Sequence, residues 1–159
     1  MVLFGLPGRK IHDSLNDYLK TNFTLRGMAI RTMNQDCTIV SFGKILKTVH
    51  SAADELEKEG INVEIIDLVT IRPLDLDTII ESIKKTNRLV IVEESFPVNS
   101  VASEVSYRVQ RNAFDHLDAP IVRLCQSDTP LAFATTLIDE ALPQVKEIID
   151  AVKNAMYVS

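Results

Sequence analysis

The sequence predicts a single α/β domain, a mainly parallel sheet with helices on both faces. Short β-branched runs alternate with stretches of helical periodicity, and the connections are short, so adjacent parallel strands must be joined by helical crossovers. The strand runs are apolar on successive residues, as strands covered on both faces are. The 159 residues match one core of ordinary size.

The first clear strand is Cys37-Thr38-Ile39-Val40-Ser41-Phe42, ending at Gly43. Ile45, Leu46, Val49, Ala52, Ala53 and Leu56 then form one helical stripe. Gly60 closes that helix, because a residue without Cβ enters the left-handed cap region cheaply. A second strand is expected over 61–68, buried through Val63, Ile65, Ile66 and Leu68. Arg72-Pro73 breaks the chain, and Asp75 is the expected N-cap of a helix with Leu76, Ile79, Ile80 and Ile83 inward. Lys84 and Lys85 suit the negative end of that helix dipole. Leu89-Val90-Ile91-Val92 is the third strand, Val101, Val105 and Val109 mark a helix, and 121–124 is the fourth strand. Pro143 is expected to open a last helix with Val145, Ile148, Ile149, Val152 and Met156 inward.

Composition excludes several classes. The chain is 46% hydrophobic and 25% charged with five Gly and six Pro, so it is neither disordered nor fibrous. No apolar run approaches the roughly 18 residues of a membrane span. Two cysteines, Cys37 and Cys125, are too few for a disulfide scaffold and suggest a reducing compartment. A net charge of −5 lacks the basic footprint of a nucleic-acid binder. Residues 1–35 stand apart, with five basic residues against two acidic, while the remainder carries twelve against twenty. Within them, 11–21 read as a short helix. Gly5-Leu6-Pro7-Gly8-Arg9-Lys10 lacks the spacing of a phosphate loop, and the basic bias of a transit peptide is offset by Asp13 and Asp17. The organisation expected is residues 1–35 as a leading segment or linker and 36–159 as the domain.

Ligands in open parallel sheets bind beyond the carboxyl ends of the strands, where Glu93 and Glu94 fall. A carboxylate pair there either shares a proton or holds a cation. Alternatively, it caps a neighbouring helix or pairs with a cation such as Arg72. His12, His50 and His116 are scattered, with no base or ligand partner at a diagnostic spacing. Ser51 beside His50 points elsewhere on a helix. The cysteines form no Cys-x-x-Cys, and Cys37 lies in an apolar strand, so self-contained catalysis is not expected.

An ordered series of segments carries a resemblance over about 36–156. It comprises Asp67-Leu68-Val69-Thr70-Ile71-Arg72-Pro73-Leu74-Asp75, Lys85-Thr86-Asn87-Arg88-Leu89-Val90-Ile91-Val92-Glu93-Glu94 and Leu117-Asp118-Ala119-Pro120, then Asp128-Thr129-Pro130 and Leu142-Pro143-Gln144-Val145. The series resembles the C-terminal domain of pyruvate dehydrogenase β subunits, a transketolase C-terminal-type fold. The resemblance implies a part of a thiamine-diphosphate- and magnesium-dependent enzyme that decarboxylates pyruvate oxidatively to acetyl-CoA. In that family the cofactor lies between an α subunit and the β subunit's N-terminal domain. No catalytic, cofactor or metal residue therefore carries over to this chain. The implied roles are contact with a second β subunit and the α subunit, and docking of the dihydrolipoyl acyltransferase core. Asp118 falls on an acidic docking position and Ser159 supplies the terminal carboxylate. Alternatives are a branched-chain 2-oxo acid or acetoin dehydrogenase β subunit, or a stand-alone binding module of the same fold. The implied location is bacterial cytoplasm or mitochondrial matrix. Glu94-Ser95-Phe96-Pro97 departs from the family's usual Gly-Trp, Ser100-Val101-Ala102-Ser103-Glu104 lacks its glycines, and Leu131-Ala132-Phe133 replaces a Pro-Tyr segment.

Overall fold

The computed structural model describes residues 36–158, and residues 28–31 as backbone. The expectations for 1–27, including the helix over 11–21, the glycine loop and His12, lie outside the described residues, as does Ser159.

Five strands form one sheet in the order β1-β3-β2-β4-β5. β2 (Cys37–Ser41), β3 (Val63–Leu68), β4 (Leu89–Val92) and β5 (Val122–Leu124) run parallel. β1 (Met28–Arg31) is antiparallel to β3, with Met28 opposite Leu68, so the sheet recruits four residues from the leading 35. Sequence reading did not find this strand.

Five helices cover the sheet or follow it: α1 (Leu46–Lys58), α2 (Leu76–Thr86), α3 (Val101–Ala113), α4 (Thr135–Ala141) and α5 (Val145–Met156). Alternation along the strands divides the core in two. Cys37, Ile39, Ile65, Val90 and Val92 pack toward Val49 and Leu56 of α1 and Ile148 and Val152 of α5. Val40, Ile66, Leu89 and Ile91 pack toward Ile79 and Ile83 of α2 and Val105 and Val109 of α3. The fold is thus the expected α/β sheet with helices on both faces.

The helix ends follow local chemistry. Asp75 accepts from the Thr78 N–H at 3.2 Å as the N-cap of α2. Gly60 sits at φ +84 after α1, and the Ile61 N–H closes back on Leu56 O at 2.9 Å. That turn consumes the first residues expected in the strand, which begins at Val63 rather than Ile61. The last helix starts after Gln144 rather than at Pro143. The Gln144 N–H donates to the Glu147 carboxylate at 2.9 Å, while Pro143 is buried ahead of the cap. Helix α4 was not expected, and no helix among the described residues is long and apolar enough to cross a membrane.

Candidate functional site

The helix after β2 lies on one face of the sheet and the helices after β3 and β4 lie on the other. Adjacent strands β2 and β4 therefore send their chains to opposite sides, the arrangement that opens a crevice at the carboxyl ends. Glu93 follows β4 at this point and is completely buried.

Its carboxylate is committed to structure. Oε2 accepts from the Ala102 N–H at 3.2 Å, in the first turn of α3. Ser100, the N-cap, accepts from the Ser103 N–H at 3.2 Å, so two of the orphan amides at this helix start are satisfied by side chains. The other Glu93 oxygen accepts from the Cys125 thiol at 3.4 Å, just beyond β5. One side chain thus fastens β4 to α3 and to the chain after β5. Glu94 is half-buried and Arg72 exposed, and neither makes a hydrogen bond or ion pair among the described residues. The structure therefore brings Glu93 to Ala102 and Cys125, and leaves Glu94 and Arg72 apart from it.

Both thiols are held protonated at neutral pH. Burial pushes Cys37 up to about 12. Burial, then the Glu93 hydrogen bond, pushes Cys125 up to about 11. Neither is a ready nucleophile. His50 and His116 are both exposed, and no three His, Cys, Asp or Glu side chains converge on a metal-sized site among the described residues.

Asp118 lies at the opposite, amino end of the strands. The chain passes from a short 3-10 turn, Phe114–His116, toward β5. The Asp118 N–H donates to Asn87 O at 2.8 Å, and Asn87 Nδ2 donates to His116 O at 2.9 Å. Asn87 itself takes φ 59 as the left-handed cap of α2. The segment is thereby clamped to the end of α2, which holds the backbone of Asp118 while its side chain stays exposed. That carboxylate borders a shallow hollow of about 390 Å³, lined also by Gln110, Phe114, Leu117, Ala119 and Pro120.

Sequence reading missed two buried polar groups. Thr38 bonds the hydroxyls of Ser82 and Thr86, each at 2.7 Å, between β2 and α2. Glu64, buried in β3, pairs with Lys85 at 3.4 Å. The available signal was Ser82 and Thr86 recurring at helical spacing on the apolar stripe of α2, opposite a strand threonine.

Residues 27–148 match the family described as the transketolase C-terminal domain. The chain is 52% identical over 128 residues to a pyruvate dehydrogenase E1 component subunit beta of Rhizobium meliloti, covering 80% of this chain and 28% of that protein. It is 45% identical over 119 residues to the mitochondrial subunit of Dictyostelium discoideum, covering 75% and 33%. The chain thus spans about a third of the length of these relatives. A solved split-gene transketolase, an inactive beta4 tetramer, superposes with a TM-score of 0.72 at 23% identity, covering 82% of this chain and 42% of that one. With a parallel sheet in this strand order and a family match over most of its length, the chain belongs to the transketolase C-terminal domain family.

Proposed function

We propose that this chain is the C-terminal domain of a pyruvate dehydrogenase (acetyl-transferring) β subunit, serving oxidative decarboxylation of pyruvate through assembly rather than chemistry. The observation that carries the reading is the 52% identity over 128 residues to such a subunit. The domain comprises residues 36–159, extended upstream by β1. The buried carboxylate at the strand ends supports a structural role, because Glu93 is already engaged by an amide and a thiol. The family resemblance assigns thiamine diphosphate and magnesium to other parts of the parent enzyme, so no step of their chemistry is assigned to this chain. The cofactor belongs to the rest of the parent enzyme, with the α subunit. The relatives are bacterial and mitochondrial proteins, which supports bacterial cytoplasm or mitochondrial matrix.

The domain contacts a second β domain and the α subunit, and docks the dihydrolipoyl acyltransferase core through Asp118. Exposed carboxylates orient a basic partner and speed its approach, an effect that weakens with salt. Titrating the full chain with the acyltransferase's basic binding domain tests this. Binding is expected at low salt, weakening about tenfold in Asp118→Asn, the equivalent of ~1.4 kcal/mol. No binding at low salt sinks the docking role; unchanged affinity in the variant removes Asp118 from the site.

A further inference from the structure

We propose that residues 11–21 dock as an amphipathic helix on the hollow between the β3–α2 loop and α3, so that the chain's own leading segment covers this corner of the sheet. The inference goes beyond the assembly role proposed above and does not depend on it.

The direction of β1 sets where that segment enters. β1 is antiparallel to β3, with Met28 opposite Leu68, the last residue of β3. The chain before Met28 therefore leaves the sheet at its carboxyl end, along the β1 edge. Residues 22–27 separate Met28 from Thr21, and six extended residues reach about 20 Å. The end of the helix is thus held within that radius of Met28.

An apolar surface lies inside it. Val69 and Ile71, both exposed, follow directly on Leu68, and three residues carry Ile71 at most about 11 Å from it. Ile71 and Leu74 line a hollow of about 190 Å³ together with Val101 and Val105 of α3. The charges around it are already matched. Glu104 and Arg108, which also line it, pair with each other at 2.6 Å. Asp75 caps α2, and Arg123 donates to Ser103 Oγ at 2.6 Å. Arg72 is exposed, and a long arginine stem keeps its head in water above an apolar neighbour. An uncharged stripe therefore fits this lining better than a charged peptide does.

The leading segment carries such a stripe. Ile11, Leu15, Tyr18 and Leu19 recur at helical spacing, with Asp13, Asp17 and Lys20 on the opposite side. A helix of eleven residues is marginal alone in water and takes its stability from packing its apolar face. The tether decides the occupant. A linker as short as 22–27 holds the stripe at an effective concentration of millimolar order. At micromolar protein, the chain's own segment fills the hollow ahead of a second copy or a different peptide.

Trypsin cleavage after Lys20 in the full chain, followed by mass spectrometry, tests the proposal, because cleavage of a segment that opens transiently tracks its open population. Leu15→Asp removes the stripe and Ile71→Asp spoils the hollow from the other side. Each is expected to speed cleavage after Lys20 about tenfold over the wild type, and the two together to add little to either alone. Hydrogen exchange gives the reciprocal reading: the amides of Ile71 and Leu74 are expected to exchange several-fold faster in Leu15→Asp, while those of β2 stay protected. Circular dichroism checks that each variant is folded; should Ile71→Asp fail, exchange in Leu15→Asp still decides. Wild-type cleavage as fast as in Leu15→Asp overturns the proposal, including the case in which a different protein covers the hollow. Slow cleavage indifferent to Ile71→Asp overturns it too, since the helix then packs elsewhere. So does protection that grows from low to high micromolar concentration, since a second copy then supplies the segment. The acyltransferase titration reads Asp118 at the opposite end of the sheet, so either result stands whatever the other shows.

Discussion

At the amino ends of the strands nearly every junction is tied by a polar clamp, whereas at the carboxyl ends the loops spread apolar side chains into solvent. Asp36 accepts from the Asn62 N–H at 2.8 Å, and Arg88 reaches Asp36 O and Thr86 O at 3.5 Å each. Thr38, Ser82 and Thr86 form a buried hydroxyl group beneath them, and Asn87 locks the approach to β5. At the other end, buried Glu93 ties β4, α3 and the chain after β5 together, and beyond it lie Phe96, Leu131 and Phe133 in the open. The difference teaches how one chain divides its labour. The closed end is knit mainly by side chains reaching backbone and hydroxyl groups, while the open end is held by Glu93 together with Arg123, which donates to Ser103 Oγ at 2.6 Å, and carries its large apolar side chains outward.

The largest effect that would break this contrast is a pair of truncations, one at each end. Leu89 begins β4 at the closed end and is completely buried among α2 and α3 side chains. Leu89→Ala is expected to cost about 2–5 kcal/mol, from lost apolar transfer and the cavity left behind. Phe133→Ser, studied at concentrations where the chain is monomeric, is expected to stay within about 0.5 kcal/mol, as surface changes do. Urea unfolding monitored by circular dichroism measures both. Comparable losses at the two sites would show that the open end is packed within the monomer after all.

Glu93 sharpens the comparison, because it is where the open end is held shut. Glu93→Ala leaves the Ala102 N–H buried without its acceptor and opens space beside Cys125. A cost of about 2–3 kcal/mol is expected from the unsatisfied donor and the void together. Glu93→Gln keeps the shape and an amide oxygen able to accept from Ala102, so it is expected to lose roughly half as much. Hydrogen exchange of amides 101–103 reads the same event locally: they are expected to open in Glu93→Ala while amides in β2 stay protected. Equal exchange in wild type and variant would mean that Ser100 alone caps α3.

The parts of this arrangement that were legible in the sequence are those set by periodicity and caps. The apolar runs of β2, β3 and β4, Gly60 after α1 and Asp75 before α2 each act within a few residues, and each appears where the sequence placed it, save that β3 begins at Val63 rather than Ile61. β1 was not legible because its strand character comes from pairing with β3, some 35 residues downstream, rather than from its own four residues. α4 lay hidden for a related reason, since Leu137 and Ile138 are adjacent and provide no stripe for a core to read. The site was legible in part. That Glu93 sits at a strand end follows from the apolar run before it, but its partners, Ala102 and Cys125, are 9 and 32 residues away and depend on the crossover. Position came from pattern, and commitment came from topology.

Cys125 gives the smallest and most local measure of how closed the open end is. Burial and the hydrogen bond to Glu93 push its thiol up to about 11 from an ordinary value of 9.0. A raised folded-state value favours the protonated form in the native state, so its contribution to stability is complete below pH 9. That contribution is lost as pH rises through 11, because the unfolded chain releases the proton first. Cys37, raised by burial to about 12, acts with the same sign and extends the window upward. Native stability is therefore expected to fall between about pH 9 and 12, and to fall less steeply in Cys125→Ala. The thiolate fraction also sets reactivity. At pH 8.5, alkylation of Cys125 by iodoacetamide is expected to run roughly a hundredfold slower than that of an unperturbed thiol, from a rise of about two pH units. Glu93→Gln, which removes the neighbouring acid and its hydrogen bond, is expected to speed that reaction several-fold with Cys37 still unreactive. Mass spectrometry resolves the two sites. Rapid labelling of Cys125 in the wild type would mean that Glu93 does not hold the thiol, and that the carboxyl end is open down to its last buried carboxylate.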